Sequence, residues 1–255
     1  MAVLCRETAV SDGIRIAALS TPQQLGVAAR EDDHANGAIV DVAAVGAVPM
    51  SRSQPHRPPR AIHAAAHEVK LALAGRSLVL VGLMGCGKTS IGRRLAQTLD
   101  LPFADADEEI EHAADQSISE IFSSHGEAYF RDGERKVIAR LLSSGPLVLA
   151  TGGGAFINAQ TRANIKARGL SIWLKADLPV LMRRVMRRGN RPLLKTPDPE
   201  ARMRELMDQR YPIYAEADVV VESRDVAHDV MVADLVDVLL KRHLRPFPPK
   251  TQDPS

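Results

Sequence analysis

The chain has 255 residues, 45% of them hydrophobic and 25% charged, with a formal net charge of +2. This is ordinary globular composition, and it excludes a wholly disordered, collagen-like or disulfide-scaffold protein. The charge is too small to draw nucleic acid by bulk attraction, and no apolar run approaches the roughly 20 residues of a membrane helix, so neither partner is expected. The first ten residues, MAVLCRETAV, lack the order of a secretory signal. Cys5 and Cys86 lie far apart and form neither a disulfide framework nor a zinc site by themselves, so a reducing, cytoplasmic setting is the default.

Residues 1–70 hold 7 basic and 7 acidic residues, with no clear apolar period. SRSQPHRPPR, ending at Arg60, interrupts any regular element. We read 1–70 as a poorly ordered extension, with Met50 as an alternative start and a short helix over Ala61–Ala74. From residue 71 to 243 the pattern is regular. Buried strands are predicted at Ser77–Val81, Leu147–Ala150, Leu170–Leu174 and Asp218–Val221, with a further strand whose end carries Asp105 and Asp107. Helices are predicted at Lys88–Leu99, Ser119–Ser124, Glu134–Leu142, Asn158–Arg168, Pro179–Arg188, Glu200–Ala215 and Val226–Leu240. Apolar strands alternating with helices imply an α/β fold with a parallel sheet covered on both faces. Residues 244–255 form a Pro-rich tail. No exposed apolar stripe stands out, so a monomer is expected.

The strongest motif is Gly82-Leu-Met-Gly-Cys-Gly-Lys-Thr89, which fits G-x-x-x-x-G-K-[ST] between a predicted strand and a predicted helix. Glycines let backbone N–H groups turn toward phosphate oxygens, and the helix N-terminus adds partial positive charge. The run Gly85, Cys86, Gly87, Lys88, Thr89 and Ser90 is the expected nucleotide cradle. Lys88 reaches the β- and γ-phosphates, and the Thr89 hydroxyl suits Mg²⁺. Cys86, beside Lys88 and before a helix N-terminus, has two readings: a reactive thiolate, or a small residue buried in the sheet.

Asp105 and Asp107 follow in FADADEEI. If the strand continues through them, their side chains point the same way. Two carboxylates near a triphosphate suit two jobs, supporting hydrated Mg²⁺ and receiving a proton from an attacking hydroxyl. The plainer reading is a helix N-cap with an acidic first turn, and Asp107 can serve both. Gly152, Gly153 and Gly154 follow a buried strand, where open α/β sheets bind ligands and where glycines permit close backbone approach. Arginine outnumbers lysine 25 to 8, a bias that fits anionic ligands. Arg131 suits a substrate carboxylate, with Glu134 three residues on to hold its guanidinium. Arg183, Arg184, Arg187 and Arg188 read as a solvated basic face. Arg191 opens a Pro-rich stretch, Asn190–Pro199, that reads as a closing lid. Arg210 lies where Pro212 interrupts a helix.

The whole set resembles shikimate kinase. The residues that carry the likeness are GLMGCGKTSIGRRLA, FADADEEIE, the run from Gly126 to Glu134, ATGGGA, NRPLL and QRYPIY, in the family's order across Arg76–Lys241. The resemblance implies a nucleoside monophosphate kinase-like P-loop fold: a five-stranded parallel sheet with helices on both faces and a lid. It implies ATP-dependent phosphorylation of the 3-hydroxyl of shikimate, on the route to chorismate and the aromatic amino acids. By motif position, Thr89 would ligate Mg²⁺, with Asp105 supporting it through water. Asp107, Arg131, Gly153 and Arg210 would hold shikimate, and Arg191 would close over the phosphates. One of Arg183 and Arg184 would lie against adenine. Three features depart from the pattern: Cys86 in place of a small Ala or Ser, Ala106 between the two acids, and the long extension. A gluconate-type or nucleotide monophosphate kinase on the same fold, and a P-loop regulatory switch, are the rivals. Asp107, Arg131 and Arg210 discriminate against the switch, which has no need of a carboxylate clamp.

Overall fold

The computed structural model describes residues 60–187 and 196–243. The chain order is α1 (Arg60–Ala72), β1 (Ser77–Val81), α2 (Lys88–Leu99), β2 (Phe103–Asp105), α3 (Ala106–Ala114), α4 (Ile118–Ser143), β3 (Val148–Ala150), a 3-10 turn (Ala155–Ile157), α5 (Ala159–Arg168), β4 (Gly169–Lys175), α6 (Leu178–Met186), α7 (Pro199–Tyr214), β5 (Val219–Glu222) and α8 (His228–His243). The strands form one sheet in the order β2-β3-β1-β4-β5, and every pair is parallel. This is the predicted P-loop α/β architecture. Every residue of β1 is buried, as are the first six of β4, so both faces of the sheet centre are covered. Edge strand β5 alternates buried and exposed residues, as a half-covered strand should.

This topology gathers the chemistry. Five parallel strands point their carboxyl ends to one edge, and three of the predicted motifs leave a strand there. The P-loop follows β1, Asp105 ends β2, and the glycine triplet follows β3. Strand β1 lies between β3 and β4, where connections depart to opposite sides and open a crevice.

Four expectations need correction. Strand β2 stops at Asp105 and does not continue through Asp107, because the Asp105 side chain accepts from the Asp107 N–H and starts α3. The cap is therefore Asp105, and Asp107 sits in the helix's first turn. The helices expected at Ser119–Ser124 and Glu134–Leu142 are parts of α4, which bends at Gly126, where φ is 82°. Pro212 lies inside α7, which runs two residues beyond it to Tyr214. Residues 60–70 are not a loose extension. Ala66, Val69 and Leu73 recur at i, i+3 and i+7, are at most 4% exposed and join the main core. Helix α1 packs on α8 and on the P-loop helix α2, and Lys70 Nζ donates to Asp100 O at 2.6 Å and to Asp100 Oδ2 at 2.8 Å. The packed body thus includes α1. Residues 1–59, 188–195 and 244–255, which include the Met50 start, Arg188, Arg191 and the tail, lie outside the described residues.

A chain starting at Ala72 is expected to melt well below one that keeps α1. Leu73→Ala in the full chain is expected to cost about 2–5 kcal/mol, or roughly 2–4 °C in melting temperature per kcal/mol. Differential scanning calorimetry checks both, and equal melting temperatures would mean that α1 adds nothing to the core.

Candidate active site

Gly87 caps α2 in the left-handed region, at φ 99°, and it aims the helix's first N–H groups into the turn. Lys88 Nζ folds back over the loop and donates to Gly82 O at 2.8 Å and Leu83 O at 3.0 Å. Thr89 Oγ1 donates to Asp105 Oδ2 at 2.7 Å, while Asp105 Oδ1 accepts from the Asp107 N–H at 3.1 Å. Asp105 is buried, at 8% exposure, with both oxygens engaged. A cavity of about 270 Å³ runs from this loop past Thr89, Asp105 and Asp107 to Gly153 on one side. On the other it reaches Arg184, Val226 and His228. Three or more His, Cys, Asp or Glu side chains do not cluster anywhere among the described residues in a way that would hold a metal ion.

The glycine triplet brings the remaining groups together. A Cβ on Gly152 would sit 2.7 Å from both Asp107 Oδ1 and Glu134 Oε1. A Cβ on Gly154 would sit 2.6 Å from Arg131 Nη1 and 2.7 Å from its Cζ and Nη2, against the face of the guanidinium. Real Cβ atoms do not approach so closely, so a side chain at either position would push these charged ends aside. The Gly153 carbonyl accepts from Arg210 Nη1 at 2.9 Å and from the Tyr214 hydroxyl. Asp107, Arg131 and Arg210, named from the sequence, therefore converge on three consecutive residues, Gly152–Gly154.

Arg131 is held as its spacing predicts. Its Nη1 meets Glu134 Oε2 at 2.8 Å, and its Nη2 meets Glu127 Oε1 at 3.3 Å. Glu134 is 3% exposed, and its Oε1 has no hydrogen-bond partner. Burial pushes the Glu134 carboxyl above its ordinary range; Arg131 pulls the other way, and nearby Asp107 adds to the rise.

Two other expectations change. Arg184 is no solvated residue. It lines the cavity and donates to Ser223 Oγ at 2.8 Å and Arg224 O at 2.5 Å, with longer contacts to Gly85 O and Cys86 O. Arg183 instead pairs with Asp225. Cys86 is 1% exposed and belongs to the core cluster. Its sulfur faces inward below Gly82, so the buried reading replaces the reactive thiolate. Ser223, whose hydroxyl donates to Cys86 O at 2.8 Å, and Tyr214 were not singled out from sequence. Ser223 carries no local signal, since it is one polar residue after a strand. Tyr214 lies within the QRYPIY segment, but its bond spans 61 residues.

The sequence profile of the shikimate kinase family matches residues 84–240. The chain belongs to that family. It is 57% identical over 177 residues to the shikimate kinase of Bradyrhizobium diazoefficiens, covering 69% of this chain and 85% of that one. It is 56% identical over 177 residues to the shikimate kinase of Nitrobacter winogradskyi, covering 69% and 83%. The structure of shikimate kinase from Acinetobacter baumannii in complex with shikimate is 37% identical, with a TM-score of 0.65, and covers 69% of this chain and 99% of that one. Like its family, the chain is a phosphotransferase with an alcohol group as acceptor.

A carboxyl with a raised folded-state pKa stabilises the fold fully at low pH, and that contribution is lost as pH rises through the folded value. The stability of the parent chain relative to Glu134→Gln is therefore expected to fall as pH climbs above 4.5, the ordinary Glu value. Melting curves across pH 4 to 8 check this. A relative rise would mean that the Arg131 pair outweighs burial.

Proposed function

We propose that the chain transfers the γ-phosphoryl group of ATP to the 3-hydroxyl of shikimate, giving shikimate 3-phosphate on the route to chorismate and the aromatic amino acids. The observation that carries this reading is the convergence of Asp107, Arg131 and Arg210 on Gly152–Gly154, at the end of a cavity that begins at the P-loop. Shikimate is a small carboxylated polyol. It needs paired cations for its carboxylate and acceptors for its hydroxyls, with little apolar area. Arg131 and Arg210 supply the cations. Asp107 orients the hydroxyls and takes the proton of the attacking one as the new O–P bond forms and ADP leaves. The transition state of phosphoryl transfer is loose, so positioning and charge stabilisation dominate.

On the nucleotide side, Lys88 exchanges its two loop carbonyls for the β- and γ-phosphate oxygens. Thr89 Oγ1 and Asp105 suit a hydrated Mg²⁺, since this ion takes one or two protein oxygens and keeps waters and phosphates for the rest. A Mg²⁺ held by these residues would offset the negative charge of the phosphates. Arg184 lines the cavity where the nucleoside half of ATP belongs, so it, and not Arg183, is the arginine to lie near the base. Exposed large apolar side chains such as Leu71, Tyr129 and Met186 are scattered, which fits a monomer. Among the described residues no helix is long and apolar enough to cross a membrane.

Coupled ADP release with ATP, Mg²⁺ and a panel of small hydroxy acids tests the reading. Turnover with shikimate alone is expected, and turnover with gluconate but not shikimate would overturn it. Asp107→Asn is expected to lower kcat by about 10²–10⁴-fold while leaving ATP binding largely intact. Near-normal turnover would remove Asp107 from the proton transfer. Arg131→Lys keeps the charge but loses the planar fork, so steady-state kinetics should show a higher KM for shikimate than for ATP relative to the parent. An equal rise in both would place Arg131 in the fold and not in the site.

A further inference from the structure

The Gly153 carbonyl has two acceptor lone pairs, and both are directed by side chains of α7. Arg210 Nη1 donates to one at 2.9 Å, and the Tyr214 hydroxyl donates to the other. The two donors lie one helical turn apart, so they share a face of α7 and arrive together. Tyr214 has no exposed surface and is packed against Phe156, Trp173 and Tyr211 at ring-centroid distances of 6.4, 5.9 and 6.2 Å. Its ring therefore has a fixed position, and so has its hydroxyl. Burial raises its pKa, and the Arg210 guanidinium beside it offsets only part of the rise, so the phenol keeps its proton and donates.

Such a bond fixes more than one atom. A trans peptide is planar, and its N–H points opposite to its carbonyl; the described chain has no cis peptide bonds. Holding Gly153 O toward α7 turns the Gly154 N–H the other way and sets the tilt of the triplet. Arg131 lies against Gly154, and Asp107 and Glu134 lie against Gly152. The same carbonyl also anchors the Arg210 guanidinium.

We propose that Tyr214 is a positioning residue for the acceptor substrate: its hydroxyl locks the Gly153 peptide and, through it, Arg210 and the triplet in the geometry that receives shikimate. It touches neither substrate nor nucleotide and acts through Gly153 and Arg210. The proposal rests on the site assignment made above, in which Arg210 and Gly153 hold shikimate.

Tyr211 provides an internal control. It lies on the same helix and in the same aromatic cluster, but its hydroxyl donates to Ala176 O at 2.5 Å, away from the triplet. Tyr214→Phe, Tyr211→Phe and Arg210→Ala are compared in the full chain. Tyr214→Phe is expected to raise KM for shikimate about 3–10-fold, the range for one lost hydrogen bond. Its KM for ATP and its kcat stay near the parent's, and its melting temperature falls by no more than the few degrees one hydrogen bond is worth. Tyr211→Phe leaves KM for shikimate unchanged. Trp173, the chain's single tryptophan, lies near the Tyr214 ring, so titration of its fluorescence with shikimate alone should show the same ratio in Kd. An unchanged shikimate KM in Tyr214→Phe, with a large rise in Arg210→Ala, overturns the role of Tyr214. So does a parallel rise in both Michaelis constants for both tyrosine variants, which marks a merely structural hydroxyl. If Arg210→Ala also leaves KM for shikimate unchanged, the assignment of the acceptor site fails, and the role of Tyr214 fails with it.

Discussion

The site depends on a backbone with no side chains of its own. Asp107 and Glu134 reach the same flank of Gly152, Arg131 lies flat on Gly154, and Arg210 bonds the carbonyl between them. The charged groups of α3 and α4 hold these positions because Gly152 and Gly154 lack Cβ atoms that would push them aside. Opposite charges then sit close enough to balance one another, and burial makes each pairing count for more than it would in water. The triplet follows β3, beside β1, so the same strand pair that holds the P-loop holds the acceptor side. One sheet edge thus registers the two halves of the reaction against each other.

Electrostatics around the triplet is a contest between desolvation and pairing. Glu134 has one oxygen on Arg131 and the other without a partner, and burial wins over the ion pair in setting its proton affinity. Arg131 gains a fixed direction from that pair, with Glu127 bracing it from the preceding turn of α4. Asp105 resolves the same tension differently. The Thr89 hydroxyl and the Asp107 amide engage its two oxygens, which keeps a buried carboxylate satisfied.

Much of this was legible in the sequence, to the extent that the signals are local. The P-loop is a contiguous string whose conformation is set by its own glycines and the flanking strand and helix. The Arg131–Glu134 pair follows from helical spacing. The end of β2 was not legible, because a three-residue strand offers too little alternation to decide where extended backbone becomes helix; the Asp105 cap decides it. Helix α1 carried its apolar stripe openly, but the Pro-rich run before it drew the boundary too late. The inward turn of Cys86 and the tie between Ser223 and the P-loop are long-range outcomes of packing, without a local pattern. The bonds from Arg210 and Tyr214 to Gly153 span 57 and 61 residues, and only the topology of the sheet brings them together.

The resting position of Lys88 has a consequence for how the loop meets its ligand. Its ammonium is bonded to Gly82 O and Leu83 O, two neutral carbonyls of the loop itself. Each such bond has an ionised donor and is worth about 1.5–3 kcal/mol, while a phosphate oxygen brings a full negative charge to the same ammonium and binds it more strongly. The loop is thus its own weak competitor. A singly charged anion gains little by displacing the carbonyls, whereas a polyphosphate engages the lysine and the helix N-terminus at once.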